Sequence, residues 1–175
     1  MKNKLITITN LISALFFYLL FSTAVQAGAV DELKPQLTLK TVVEKQTVSI
    51  AGGKEIIQNV PAKDAKSGDI IVYTIYYKND STSLIKDAFI IDPIPQQTCY
   101  IDGSGTTDGI SSLSFSLDSG NTYHEPPVML EKKNADGKIE KLAAPSSSYT
   151  HIKWSFQKSL MPAQNGSITF KVKVN

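Results

Sequence analysis

SGDIIVYTIYYKNDSTSLIKDAFIIDPIP, Ser67 to Pro95, is the stretch on which the reading of the chain turns. Ser67-Gly68-Asp69 is turn chemistry, and Ile70 to Lys78 follows with a density of β-branched and aromatic residues that a helix would not accommodate. One face carries Ile71, Tyr73, Ile75 and Tyr77; the other carries Ile70, Val72, Thr74 and Tyr76. Both faces are largely apolar, which predicts a central strand covered at least partly on both sides. Asn79-Asp80-Ser81 then turns the chain, and Ile85 to Asp92 returns it. Pro93 and Pro95 lack the N–H a central ladder needs, so the second strand ends there.

Upstream, Lys2 and Lys4 precede an apolar run from Leu11 to Phe21, and Val25-Gln26-Ala27 supplies small residues for cleavage. This is the pattern of a secretory signal peptide over residues 1–27, too short for a comfortable membrane span. Removing 27 residues from 175 leaves 148, the size of one domain. The two signal lysines are its only charges, so 16 lysines then face 16 acids. Every basic residue is lysine. Without arginine, bidentate phosphate and base-edge recognition is poorly served, and nucleic acid is not expected as a partner. Cys99 stands alone, so no intrachain disulfide forms, and burial is the expected fate of its thiol.

Taken in order, residues 28–36 read as a flexible lead. Leu37, Leu39 and Thr41 begin a first strand, which Thr47 to Ile50 continues or follows, and Gly52-Gly53 turns the chain. Glu55 to Val60 is ambiguous and ends at Pro61. After the central stretch come a short strand at Gln97–Ile101 and a Gly/Ser/Thr/Asp loop at Asp102–Gly109. Leu113, Phe115 and Leu117 mark the next strand. Val128–Lys132 and Lys138–Leu142 flank Asn134-Ala135-Asp136-Gly137, a hairpin signal. Ile152, Trp154 and Phe156 share a face, and the closing strand places Ile168, Phe170, Val172 and Val174 inward. Many short strands separated by turns, with no amphipathic helix, predict an all-β antiparallel sandwich of about seven to nine strands over residues 37–175.

Three stretches resemble a known family. Gly68-Asp69, Ile71, Tyr73-Thr74-Ile75 and Asn79 resemble the opening signature of the conserved-repeat domain of bacterial surface and exported proteins, catalogued as domain of unknown function eleven. Asp92-Pro93-Ile94-Pro95 is similar to its second signature. Trp154, Leu160, Pro162, Gly166, Ile168, Phe170, Val172 and Val174 are similar to its closing pattern. The resemblance runs from about Leu37 to Val174. It implies an immunoglobulin-like sandwich, exported or at the cell surface, with no catalytic residues to carry over. The family often occurs as tandem copies, whereas this chain holds one, with an inserted hairpin around Asn134–Gly137.

Candidate chemistry is sparse. Asp102, Ser104, Thr106 and Asp108 alternate in a loop, a partial ligand set for calcium without the bidentate glutamate of an EF-hand; a solvated loop is the plainer reading. Asp102 and Asp108 are the only metal candidates, and they are weak ones. His124 and His151 are not in metal-ligand spacing, and no nucleophile elbow accompanies them. Tyr76, Tyr100, Tyr123 and Tyr149 suit either ordinary packing or a glycan-stacking platform. No catalytic residue and no cofactor are expected. The expected function is a non-enzymatic structural or interaction module of the cell envelope, periplasmic or released. Its partner would be an envelope protein or polysaccharide, with no membrane span in the mature chain and a monomer favoured. The alternative is a carbohydrate- or calcium-binding module.

Overall fold

The computed structural model describes residues 5–7, 37–109 and 111–175. Among them, in chain order, run β1 (Leu5–Thr7), β2 (Leu37–Ala51), β3 (Lys54–Pro61), β4 (Asp64–Lys66), β5 (Ile70–Asn79) and β6 (Phe89–Pro93). There follow β7 (Thr98–Tyr100), β8 (Ser111–Ser116), β9 (Met129–Lys133), β10 (Ile139–Ala143), β11 (His151–Phe156) and β12 (Asn165–Val174). A single 3-10 turn spans Ser146–Ser148. The fold is all-β and every pairing is antiparallel.

One sheet has five strands in the order β3-β2-β5-β12-β7, and a second has three in the order β6-β11-β8. Strand β5 is central, as its composition predicts. It pairs with β2 from Ile70 to Asn79 and with β12 from Ile70 to Lys78. Its inner residues Ile71, Tyr73, Ile75, Tyr77 and Asn79 are buried, and β12 adds Ile168, Phe170, Val172 and Val174 to the same face. The opposing sheet contributes Ile90, Phe115, Ile152, Trp154 and Phe156. Rings meet across the gap: Trp154 lies 5.9 Å from Phe170, Tyr77 4.9 Å from Phe156, and Tyr100 4.8 Å from Phe115, centroid to centroid. The two sheets therefore face each other over one core, a sandwich-like arrangement.

Strand β5 is covered in part on its outer side, as expected: Val72 is buried there, Ile70 and Thr74 are half-buried, and Tyr76 is 48% exposed. Its apolar outer face reflects β-propensity and neighbouring side chains and not a third layer. One expectation needs correction: strands β5 and β6 do not form a hairpin. The turn after Asn79 sends the chain across to the second sheet, where β6 pairs with β11. Asn79 anchors that crossing. Its side-chain amide donates to the carbonyls of Ser83, Leu160 and Met161, and its Oδ1 accepts from the N–H and hydroxyl of Ser81.

The Ser67–Asp69 turn is stitched to the end of β12. Gly68 N–H donates to Val174 C=O at 2.8 Å, and Val174 N–H donates to Asp69 C=O at 2.9 Å. Gly68 stands at φ +91, a conformation that favours glycine. Strands β9 and β10 form the hairpin that Asn134–Gly137 signals, and β4 pairs with β1. No helix among the described residues is long and apolar enough to cross a membrane. The signal-peptide region lies outside the described residues except for Leu5–Thr7, and the lead at residues 28–36 lies outside them altogether.

Candidate functional site

The loop after β7 behaves as a continuation of the sheet. Ile101 N–H donates to Lys171 C=O at 3.0 Å, and Thr106 N–H to Thr169 C=O at 2.8 Å. The Ser104 hydroxyl accepts from Lys171 N–H and the Thr106 hydroxyl from Thr169 N–H. Of the alternating Asp102, Ser104, Thr106 and Asp108, the middle two thus pair along β12. From the other sheet, Trp154 Nε1–H donates to Thr106 C=O at 2.9 Å and pins the loop to the core.

This arrangement gives the two aspartates separate surroundings. Asp108 accepts from the Tyr77 hydroxyl and, at 3.2 Å, from Ser111. Asp102 stands at a cleft of about 450 Å³ together with Tyr100 and Tyr149. No group of three or more His, Cys, Asp or Glu side chains suited to a metal ion occurs among the described residues.

The cleft has an apolar floor. Phe115 stacks on Tyr149 with centroids 4.5 Å apart, and Tyr100 lies 4.8 Å from Phe115 and 6.0 Å from Tyr149. Its walls are the glycine-rich loop at Gly103 and Gly105 on one side and Pro126, Pro127, Ala143 and Ala144 on the other. Gly105 permits the close approach: a Cβ there would lie 2.8 Å from a Leu113 methyl and 2.9 Å from the Tyr100 hydroxyl. That hydroxyl accepts Gly105 N–H at 2.8 Å. Burial, with the Asp102 carboxylate nearby, raises both Tyr100 and Tyr149 above an ordinary phenol, so both remain neutral.

Ala143 ends the β9–β10 hairpin, so the cleft opens at the base of that arm. Among the described residues eleven large apolar side chains are exposed, and eight of them lie on two hairpins. Met129, Leu130, Ile139 and Leu142 belong to β9–β10. Val48, Ile50, Ile56 and Ile57 belong to β2–β3, where β2 runs past Gln46, its last partner for β5. Val48 sits directly opposite Ile57, with Ile50 on the same face.

The remaining candidates are more ordinary. His151 Nδ1 meets the Thr150 hydroxyl at 3.1 Å, and burial lowers its pKa against the opposing pull of Asp118. The Asp118 carboxylate is committed to its own turn. It accepts from Ser116 Oγ, Thr122 N–H and Thr122 Oγ1, and those bonds hold its pKa down to about 2. Ser116 is fully buried, so the nearest approach to a Ser-His-Asp set lacks an accessible nucleophile. His124 pairs through its backbone with Phe115. Lys153 Nζ lies 4.6 Å from the Phe89 ring and 5.2 Å from that of Tyr123, occupying the faces a sugar would need. Cys99 is half-buried on β7, with Sγ 3.8 Å from Ser146 Oγ.

The acid that opens the Asp92–Pro95 signature is buried, which its place in that motif does not indicate. Asp92 is 3% exposed, its Oδ2 has no hydrogen-bond partner, and burial raises its pKa to about 7. The Tyr73 hydroxyl is also buried without a partner, and its pKa is raised by burial and then by Asp92. The inward phase of β6, with Ile90 and Asp92 on one face, is the signal that would have found it. In comparisons with protein-family models, with curated proteins and with solved structures, nothing matches this chain.

Proposed function

We propose that this protein is an exported, non-enzymatic interaction module of the bacterial cell envelope, built on an immunoglobulin-like sandwich. The observation that carries the reading is the concentration of exposed apolar side chains on the β2–β3 and β9–β10 hairpins. Exposed apolar side chains gathered on a few elements are costly in water and are characteristic of surfaces that meet a partner. The committed Asp118 and the buried Ser116 support a structural role for the polar groups over a chemical one, while the Cys99 thiol, expected to be buried, is only half so. Export is carried by the charged start, apolar run and small-residue site of residues 1–27. Cleavage there would also remove Leu5–Thr7 from β4.

The test is site-specific photo-crosslinking in producing cells, with the probe at Ile57, at Ile139, or at the solvent-facing Lys158 as control. Discrete adducts from the hairpin positions and none from Lys158 are expected. Absence of adducts from both hairpins overturns the docking reading. The mass of the exported chain tests cleavage after Ala27.

A further inference from the structure

We propose that the cleft floored by Tyr100, Phe115 and Tyr149 binds a small amphipathic cation, an ammonium group carried on a compact apolar stem. The volume of about 450 Å³ suits a small organic ligand and exceeds what a lone ion requires. The exposed Pro126, Pro127 and Ala143 provide apolar contact, and the three buried, mutually packed rings beneath them fix the floor before any ligand arrives.

Charge sets the sign. Among the described residues that line the cleft, Asp102 alone is charged, and it is exposed at the rim. An anionic ligand would meet a carboxylate and no compensating lysine. A neutral apolar ligand would leave that carboxylate unused. An ammonium satisfies it while the stem displaces water from the exposed Pro126, Pro127 and Ala143 above the buried rings. The Tyr100 hydroxyl already accepts Gly105 N–H, and neutral phenols add no competing charge. The site goes beyond the hairpin reading: it meets the β9–β10 arm only at Ala143, its base, and none of the eight exposed apolar side chains of the two hairpins lines it.

The test uses three isosteric probes, 2-phenylethylammonium, 2-phenylethanol and phenylacetate, titrated into the protein by NMR and calorimetry. The ammonium is expected to bind about fivefold or more tightly than the alcohol, and phenylacetate most weakly. Asp102→Asn should erase the preference for ammonium over alcohol, and Ala143→Trp should block all three by filling the mouth. Both positions are exposed, so circular dichroism should show an unchanged fold. Val48→Lys should leave amine binding unaltered even where it abolishes hairpin crosslinks. No binding of the ammonium to the wild-type chain, equal binding of the three probes, or a preference that survives Asp102→Asn each overturns the proposal.

Discussion

The space between the sheets and the β2–β3 hairpin are written in the same alphabet. Strand β12 in one and the outer part of β2 in the other alternate apolar residues with polar ones, and both regions place apolar side chains in facing pairs, Tyr73 with Phe170 in one and Val48 with Ile57 in the other. Their fates differ. Tyr73 and Phe170 are covered by the second sheet, and Trp154 closes over them; Val48 is 60% and Ile57 59% exposed. Alternation therefore encodes a strand with an apolar side. Only a facing layer, contributed from elsewhere in the chain, turns that side into core.

The contrast can be broken most forcefully from the buried side. Trp154→Ala removes the largest fully buried side chain and strips Thr106 C=O of its donor. A loss of about 3–5 kcal/mol is expected in denaturant titrations, with loss of protection at the Thr106 and Thr169 amides in hydrogen exchange.

Asp92 sharpens the contrast by placing a polar group where the core tolerates only its neutral form. Its folded pKa of about 7 lies above the reference 3.8, so the folded state holds the proton more tightly. Stability is unaffected below the reference value and falls as pH rises toward about 7, where the unfolded chain has released its proton first. The full penalty is at most roughly 4 kcal/mol. Asp92→Asn should raise the melting temperature at pH 8 and change it little at pH 4. A pH-independent effect would show that Asp92 ionises freely in the folded protein.

A smaller effect is expected at Gly166, where an added Cβ would overlap the hydroxyl and ring of Tyr77. Gly166→Ala should cost about 1–3 kcal/mol and disturb the Tyr77–Phe156 edge contact, visible in ring-proton shifts. The smallest effect belongs to the hairpin. Val48→Lys with Ile57→Lys should shift stability by no more than about 0.5 kcal/mol each, measured by thermal melting. A larger loss would mean that these side chains are covered.

How far the sequence reached follows the same division. Strands β11 and β12 were legible with their inward faces because each alternates cleanly, and β5 was legible as a central strand because both its faces are apolar, though not which of them faces inward. The Asn134–Gly137 hairpin was legible because its turn chemistry is local. Sheet membership was not. Nothing within Asn79 to Phe89 states that the chain crosses to the other sheet; that depends on Asn79 reaching carbonyls at Leu160 and Met161. The cleft shows the same limit. Asp102, Tyr100 and Tyr149 each drew notice, one as a calcium ligand and two as stacking rings, but their meeting depends on Phe115 from another strand and on the loop lying along β12. The burial of Asp92 was not legible, because its proline neighbours mark that segment as the end of a strand.

The two margins of the five-stranded sheet are unequal. At one side β7 is three residues long and packs against the Ser146–Ser148 turn; at the other β3 runs for eight residues with no further strand beside it among the described residues. The sheet is therefore lopsided in its open backbone: β3 offers an added strand a longer row of donors and acceptors than β7 does.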